Sequence, residues 1–204
     1  HHISTMEGGM ILTDDEEIYH ILLALRAHGW TRNLPNKNKL TKKSSDFFEE
    51  SFKFILPGYN VRPVEMSGVL GQVQLKKLDH FVKQRRENAL RFQELFSKYS
   101  YLKIQKEIGK SSWFGFSFII DDKKELTRKD FLSFLTKEGF ESRPIVAGNI
   151  LHNPMIKFYN YSVFSDLKNA DNLHFNGLFL GNHHFSIAEQ LNHLDKLIQN
   201  KFGL

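Results

Sequence analysis

A chain of 204 residues without a single cysteine can build one large domain or two small ones, but no disulfide framework, which suits a reducing cytoplasm. Its 41% hydrophobic content, with 19 Phe, excludes a disordered chain; no apolar run approaches the roughly 20 residues of a membrane helix, and no secretory signal is visible. The net charge of +5 is spread along the sequence, and its densest patch, residues 37–43, has no aromatic interleaved, which argues against a nucleic-acid surface.

The opening residues, His1-His2-Ile3-Ser4-Thr5-Met6-Glu7-Gly8-Gly9, set two imidazoles on a short polar turn ahead of an apolar run, Met10-Ile11-Leu12. That run reads as a short buried strand. The glycine pair allows the backbone a positive φ or a close approach. A reactive side chain on a turn beside a buried strand is a common seat for chemistry. The plainer alternative makes His1-His2 the end of a purification tag and Met6 the native start. A helix follows, capped by Thr13 or Asp14, acidic in its first turn and stopped by Gly29. Ile18, Ile21, Leu22 and Leu25 fall at helical spacing as its buried stripe, and His28 in the last turn serves the helix dipole rather than a metal. Residues 30–53 are then irregular, and the cluster Lys37-Asn38-Lys39-Leu40-Thr41-Lys42-Lys43 reads as solvated loop.

Leu56-Pro57-Gly58-Tyr59-Asn60-Val61-Arg62-Pro63 contains a Pro-Gly turn and places Pro63 at the first position of a helix. On pattern alone, Asn60 and Arg62 are turn and cap residues. Helical periodicity governs residues 64–99, with close packing at Gly68 and Gly71. Leu75, Leu78, Phe81, Val82, Leu90, Leu95 and Phe96 form the apolar face, and Lys83-Gln84-Arg85-Arg86-Glu87 the solvated side. Such a helix, or helix pair, bridges two domains, with the boundary near residue 98. Strands are expected at residues 101–104 and 113–120, then a turn at Asp121-Asp122-Lys123-Lys124. Thr127 with Asp130 resembles a capping box for a helix running to Gly139. Residues 141–146 suggest an edge strand interrupted by Pro144, residues 177–180 another strand, and residues 187–201 a final amphipathic helix. This order suits a small α+β layer of antiparallel strands covered by helices. Asn182-His183-His184-Phe185 invites a metal, but adjacent extended side chains diverge and no Cys or spaced carboxylate completes a set.

Several of these stretches resemble one family. Glu7-Gly8-Gly9, Thr13-Asp14-Asp15-Glu16-Glu17 and Leu25-Arg26-Ala27-His28-Gly29, with Gly58-Tyr59-Asn60-Val61-Arg62 and Gln72-Val73-Gln74-Leu75, resemble the DegT-type sugar aminotransferases and dehydratases. These are pyridoxal-phosphate enzymes of the aspartate aminotransferase fold. In that family a reactive lysine lies six residues before the Glu-Gly-Gly, where this chain has His1. A histidine there resembles the nucleotide-sugar 3-dehydratase branch, which uses pyridoxamine phosphate, and Ser142-Arg143-Pro144-Ile145-Val146-Ala147-Gly148-Asn149 resembles that branch's segment at the active-site mouth.

The resemblance implies an α/β chain, the C-terminal portion of a fold-type I pyridoxal-phosphate-dependent transferase. Residues 1–98 would be the remainder of the large cofactor-binding domain with its bridging helix, and residues 99–204 a small α+β domain. The likeness reaches only the latter half of the family's usual length, without the phosphate-cradling loop, the stacking aromatic or the Asp that pairs with the pyridinium nitrogen. It implies His1 as catalytic base, Asn60 as a cofactor-phosphate donor reaching across a homodimer with a shared active site, and Arg143 on the diphosphate of a nucleotide-sugar substrate. The implied activity is C3 deoxygenation of a 4-keto-6-deoxyhexose with pyridoxamine 5'-phosphate or pyridoxal 5'-phosphate, in lipopolysaccharide or deoxysugar biosynthesis in the cytoplasm. An imidazole ordinarily titrates near pH 6.5 and serves as a base near neutrality. A sugar aminotransferase and a non-catalytic interaction domain are the alternatives. The 204 residues alone are expected neither to bind the cofactor appreciably nor to catalyse dehydration.

Overall fold

The structure, a computed structural model, describes residues 1–121 and 126–203. The chain divides into two compact units, residues 3–75 in one and residues 76–204 with His1 and His2 in the other. The sequence places its boundary near residue 98, at the end of a long helix. The units divide earlier because that helix packs its apolar face within the second unit.

The unit of residues 3–75 holds three helices, α1 (Glu16–Leu25), α2 (Phe47–Ser51) and α3 (Glu65–Leu75). Asp15 caps α1, its Oδ1 accepting from the Glu17 and Ile18 backbone N–H groups at 2.8 and 3.0 Å. Neither expected cap, Thr13 or Asp14, takes that place; Thr13 sits two residues earlier and its hydroxyl accepts from the Asp15 N–H at 3.1 Å. The buried stripe is His20 and Ala24, with Ile21, Leu22 and Leu25 half-buried and Ile18 exposed. The loop that follows covers the His20 side, where Lys39 N–H donates to His20 Nδ1 at 3.3 Å. The helix ends at Leu25, so His28 lies beyond its last turn, at φ +63°.

Three other expectations fail here for physical reasons. Met10-Ile11-Leu12 forms no strand: it has no ladder partner among the described residues, and Met10 and Leu12 are each 85% exposed. Helix α3 begins at Glu65, not at Pro63, and buries none of its residues. Of its two glycines only Gly71 marks a close approach, since a Cβ there would meet Thr5 Cγ2 at 3.3 Å, whereas Gly68 has open space.

The second unit contains α4 (Leu78–Phe96), β1 (Leu102–Ile104), β2 (Gly115–Ile120), α5 (Arg128–Lys137), β3 (Ser142–Arg143), α6 (Lys168–Asn176), β4 (Gly177–Gly181) and α7 (Ala188–Phe202). The four strands form one antiparallel sheet in the order β1-β2-β4-β3, the α+β layer expected. Strand β3 lies at the edge and stops at Arg143, because Pro144 has no N–H to continue the ladder. The capping box at Thr127 and Asp130 forms as the spacing predicts. The turn expected at Asp121-Asp122-Lys123-Lys124 lies outside the described residues from Asp122 onward.

Aromatic packing joins α4 to the sheet. Phe92 stacks on Phe116 with ring centroids 4.4 Å apart, and Phe96 meets Phe118 edge-on at 5.5 Å. The buried face of α4 is Arg85, Asn88, Ala89, Phe92 and Phe96. Of the apolar face expected, only Phe96 is fully buried; Leu95 packs half-buried against the core, and Leu90 is 61% exposed. Arg85, expected in solvent with its charged neighbours, points inward.

Removing the stacked ring leaves a hole that the sheet cannot close. Phe92→Ala should destabilise the intact protein by about 3–5 kcal/mol, read from the shift in urea midpoint. A loss under about 1 kcal/mol would mean the core does not depend on this stack.

Candidate active site

Trp113 adopts a left-handed backbone, φ +49°, which is sparsely populated for a bulky residue. The reversal breaks the in–out alternation ahead of β2. Trp113 and Phe116 are buried, while Phe114 between them turns outward and is 44% exposed. His1 lies against that outward ring, with centroids 4.4 Å apart and planes tilted by 35°. Phe114 in turn stacks on Phe179 of β4 at 5.4 Å, and Phe179 is the register partner of Arg143 on β3. Aromatic faces thus link the expected base to the expected substrate arginine. The Arg143 guanidinium rests on Glu141, with Nη2 to Oε1 at 2.9 Å and both side chains mostly exposed. A cavity of about 530 Å³ adjoins this face, lined by Phe114, Phe140, Arg143, Phe179 and His183 among others.

These rings form an aromatic shelf, and next to it lies a polar network that sequence pattern does not disclose. Arg85, only 7% exposed, donates from Nη1 to the carbonyl oxygens of Asn182, Phe114 and Trp113 at 3.0, 3.2 and 3.4 Å. The Asn182 amide donates to the Arg85 and Trp113 carbonyls at 3.0 and 2.9 Å. Asn88 Nδ2 donates to Asn182 Oδ1 and to the His183 and Phe185 carbonyls at 3.0, 3.1 and 2.9 Å. Read by residue type, Arg85 sits in a charged run. The signal that could have found it is its position on one helical face with Asn88, Phe92 and Phe96.

His2, half-buried, has its pKa lowered by desolvation and then by the nearby Arg85 charge, against a hydrogen bond with the Ser112 backbone. The His183-His184 pair does not converge: His183 stacks on Phe185 and His184 leans on Phe81. Among the described residues no three potential metal ligands come together.

Asn60 belongs to the other unit. Its backbone forms an antiparallel bridge with Ala27, flanked by His28 N–H to Tyr59 O at 2.8 Å and Val61 N–H to Arg26 O at 3.0 Å. Glycine makes that contact possible, because a Cβ on Gly29, at φ +83°, would lie 1.8 Å from the Leu56 carbonyl oxygen. The Asn60 side chain is exposed and has no hydrogen-bond partner among the described residues.

With this geometry in hand, the relatives are informative. Residues 1–198 match the DegT/DnrJ/EryC1/StrS aminotransferase family. The chain is 55% identical to GDP-4-keto-6-deoxy-D-mannose 3-dehydratase of Escherichia coli O55:H7 (strain CB9615 / EPEC), over 98% of this chain and 52% of that protein. It is similar in structure to the E. coli enzyme with bound hydrated PLP, with TM-score 0.92 and 56% identity, over 97% of this chain and 51% of the other. A histidine-to-asparagine mutant of GDP-4-keto-6-deoxymannose-3-dehydratase with bound GDP-perosamine gives TM-score 0.91 and 55% identity, over 97% and 52%. The chain therefore spans about half the length of the relatives it matches.

The His2 environment gives a pH test. Its folded pKa lies below the ordinary 6.5, so as pH falls the unfolded chain takes the proton first. The stability tied to neutral His2 is complete above that range and is lost as pH drops through it toward the lower folded value. In a histidine-resolved NMR titration the His2 midpoint should fall below 6.5; a midpoint at or above it would contradict the described burial.

Proposed function

This chain belongs to the DegT/DnrJ/EryC1/StrS aminotransferase family, and we propose that it is the C-terminal part of a pyridoxamine-phosphate-dependent nucleotide-sugar 3-dehydratase acting on a GDP-linked 4-keto-6-deoxyhexose. The observation that carries this reading is the exposed His1 imidazole on the Phe114 ring, at the position where the family's aminotransferases carry their reactive lysine. A transaminase needs that lysine to return an amine to the sugar. Imidazole forms no stable imine and can only move protons, which suits loss of a hydroxyl.

The residues present fit such a cofactor in two respects. The imidazole of His1 is exposed on a flat aromatic surface, and the Asn60 amide is an uncommitted neutral donor suited to a phosphate oxygen. When bound, pyridoxamine phosphate supplies an amine that condenses with a ketone and a conjugated ring that takes up electrons. His1 accepts a proton at a ring nitrogen and is the group placed to deliver one to the departing C3 hydroxyl. Asn60 donates from Nδ2 to the phosphate held in a partner subunit of a homodimer. Arg143 exchanges its contact with Glu141 for the substrate diphosphate, whose oxygens match its planar fork. The setting is nucleotide-deoxysugar synthesis in the cytoplasm, of the kind that feeds lipopolysaccharide. No helix among the described residues is long and apolar enough to cross a membrane.

In the intact protein, His1→Asn should lower turnover of GDP-4-keto-6-deoxymannose by about 10²–10⁴-fold, the usual worth of a positioned base, while cofactor affinity holds. Undiminished turnover sinks the assignment. Asn60→Ala should weaken cofactor binding by about 1–2 kcal/mol, measured by fluorescence titration. Unchanged affinity would remove Asn60 from the phosphate site.

A further inference from the structure

We infer that Arg85 is a positioning residue for His1: by clamping the carbonyls of Trp113 and Phe114 it fixes the aromatic shelf on which the imidazole lies. This rests on the reading of His1 as the base. A buried guanidinium is costly, and an apolar side chain of like volume often serves stability as well or better. Among the described residues no carboxylate forms an ion pair with Arg85. Its Nη1 meets three carbonyl oxygens, drawn from the turn before β2 and the loop after β4, while its buried Nε has no partner among the described residues. Such an arrangement does little that a methionine could not do for packing, and does much to hold two loops in one geometry.

The geometry held is a strained one. Trp113 takes φ +49°, and its carbonyl receives both Arg85 Nη1 at 3.4 Å and Asn182 Nδ2 at 2.9 Å. Backbone in such regions persists only where the surroundings over-determine it. Release of this turn would restore the in–out alternation of an ordinary strand and swing Phe114 away from His1. Asn88 braces the far side, fixing Asn182, whose carbonyl is the third Arg85 acceptor. Arg85 reaches His1 through Phe114; its charge is also felt by His2.

The test uses the intact protein and two readouts. In the cofactor-free protein, Arg85→Gln should shift the His1 ring resonances toward those of the Phe114→Leu variant, since the imidazole loses the Phe114 ring current. With GDP-4-keto-6-deoxymannose the same substitution should lower kcat at least about tenfold and leave KM within about twofold, as misplacement of a catalytic group does. In a Phe114→Leu background Arg85→Gln should cost less than about twofold further, because both changes act on one element. Arg85→Lys, which keeps the charge on a shorter side chain, should fall between wild type and Arg85→Gln and guards against a misfolded variant. Unmoved His1 resonances, or losses that multiply in the double variant, would overturn the inference. If His1→Asn retains turnover while Arg85→Gln still moves the His1 resonances, the positioning stands and the assignment of His1 as base falls.

Discussion

One face of α4 carries two kinds of contact, and the second unit depends on both. Toward its C-terminal end the face is aromatic, with Phe92 flat on Phe116 and Phe96 edge-on to Phe118. Toward its N-terminal end the same face offers Arg85 and Asn88, whose donors meet carbonyls that no strand pairs. The rings set the helix against the sheet by burial, which is non-directional. The polar half then fixes direction, because hydrogen bonds weaken steeply with angle. A sheet held only by the rings could slide; held by both, it presents the loops before β2 and after β4 in one arrangement.

How far this was legible depends on what kind of information each element uses. Strands β1, β2 and β4 and the capping box could be read because alternation and cap chemistry are local. The edge role of β3 was legible in Pro144. Helix α1 is legible, but counting apolar residues misses its buried face, because the loop that covers it selects His20 and Ala24. The same error placed Arg85 in solvent. Residue type favours exposure for arginine, and only the tertiary supply of three carbonyls reverses that preference. Helix α6, Lys-Asn-Ala-Asp-Asn-Leu-His-Phe-Asn, escapes a sequence reading because it holds few apolar residues and buries none of them fully. Met10-Ile11-Leu12 failed in the opposite way: its composition favours a strand, but strands need partners.

For the candidate site, the family resemblance points to individual residues and not to their arrangement. His1 and Arg143 are far apart in sequence, and nothing local says that Phe114 and Phe179 connect them. The left-handed turn at Trp113 that exposes Phe114 is likewise invisible in the sequence, since no glycine or asparagine marks it.

The contact between Gly29 and Gly58 carries a consequence for how this chain tolerates change. A Cβ on Gly58 would fall 2.1 Å from the Gly29 nitrogen, and one on Gly29 would fall 1.8 Å from the Leu56 oxygen. The place of Asn60 is therefore encoded in main chain meeting main chain, not in any side chain that a substitution could trim or refill. In a saturation library, positions 29 and 58 would emerge as intolerant although neither carries a side chain. Substitutions of the exposed Asn60 side chain would be tolerated for folding, and under the proposed phosphate role they would be penalised only when the library is sorted on activity.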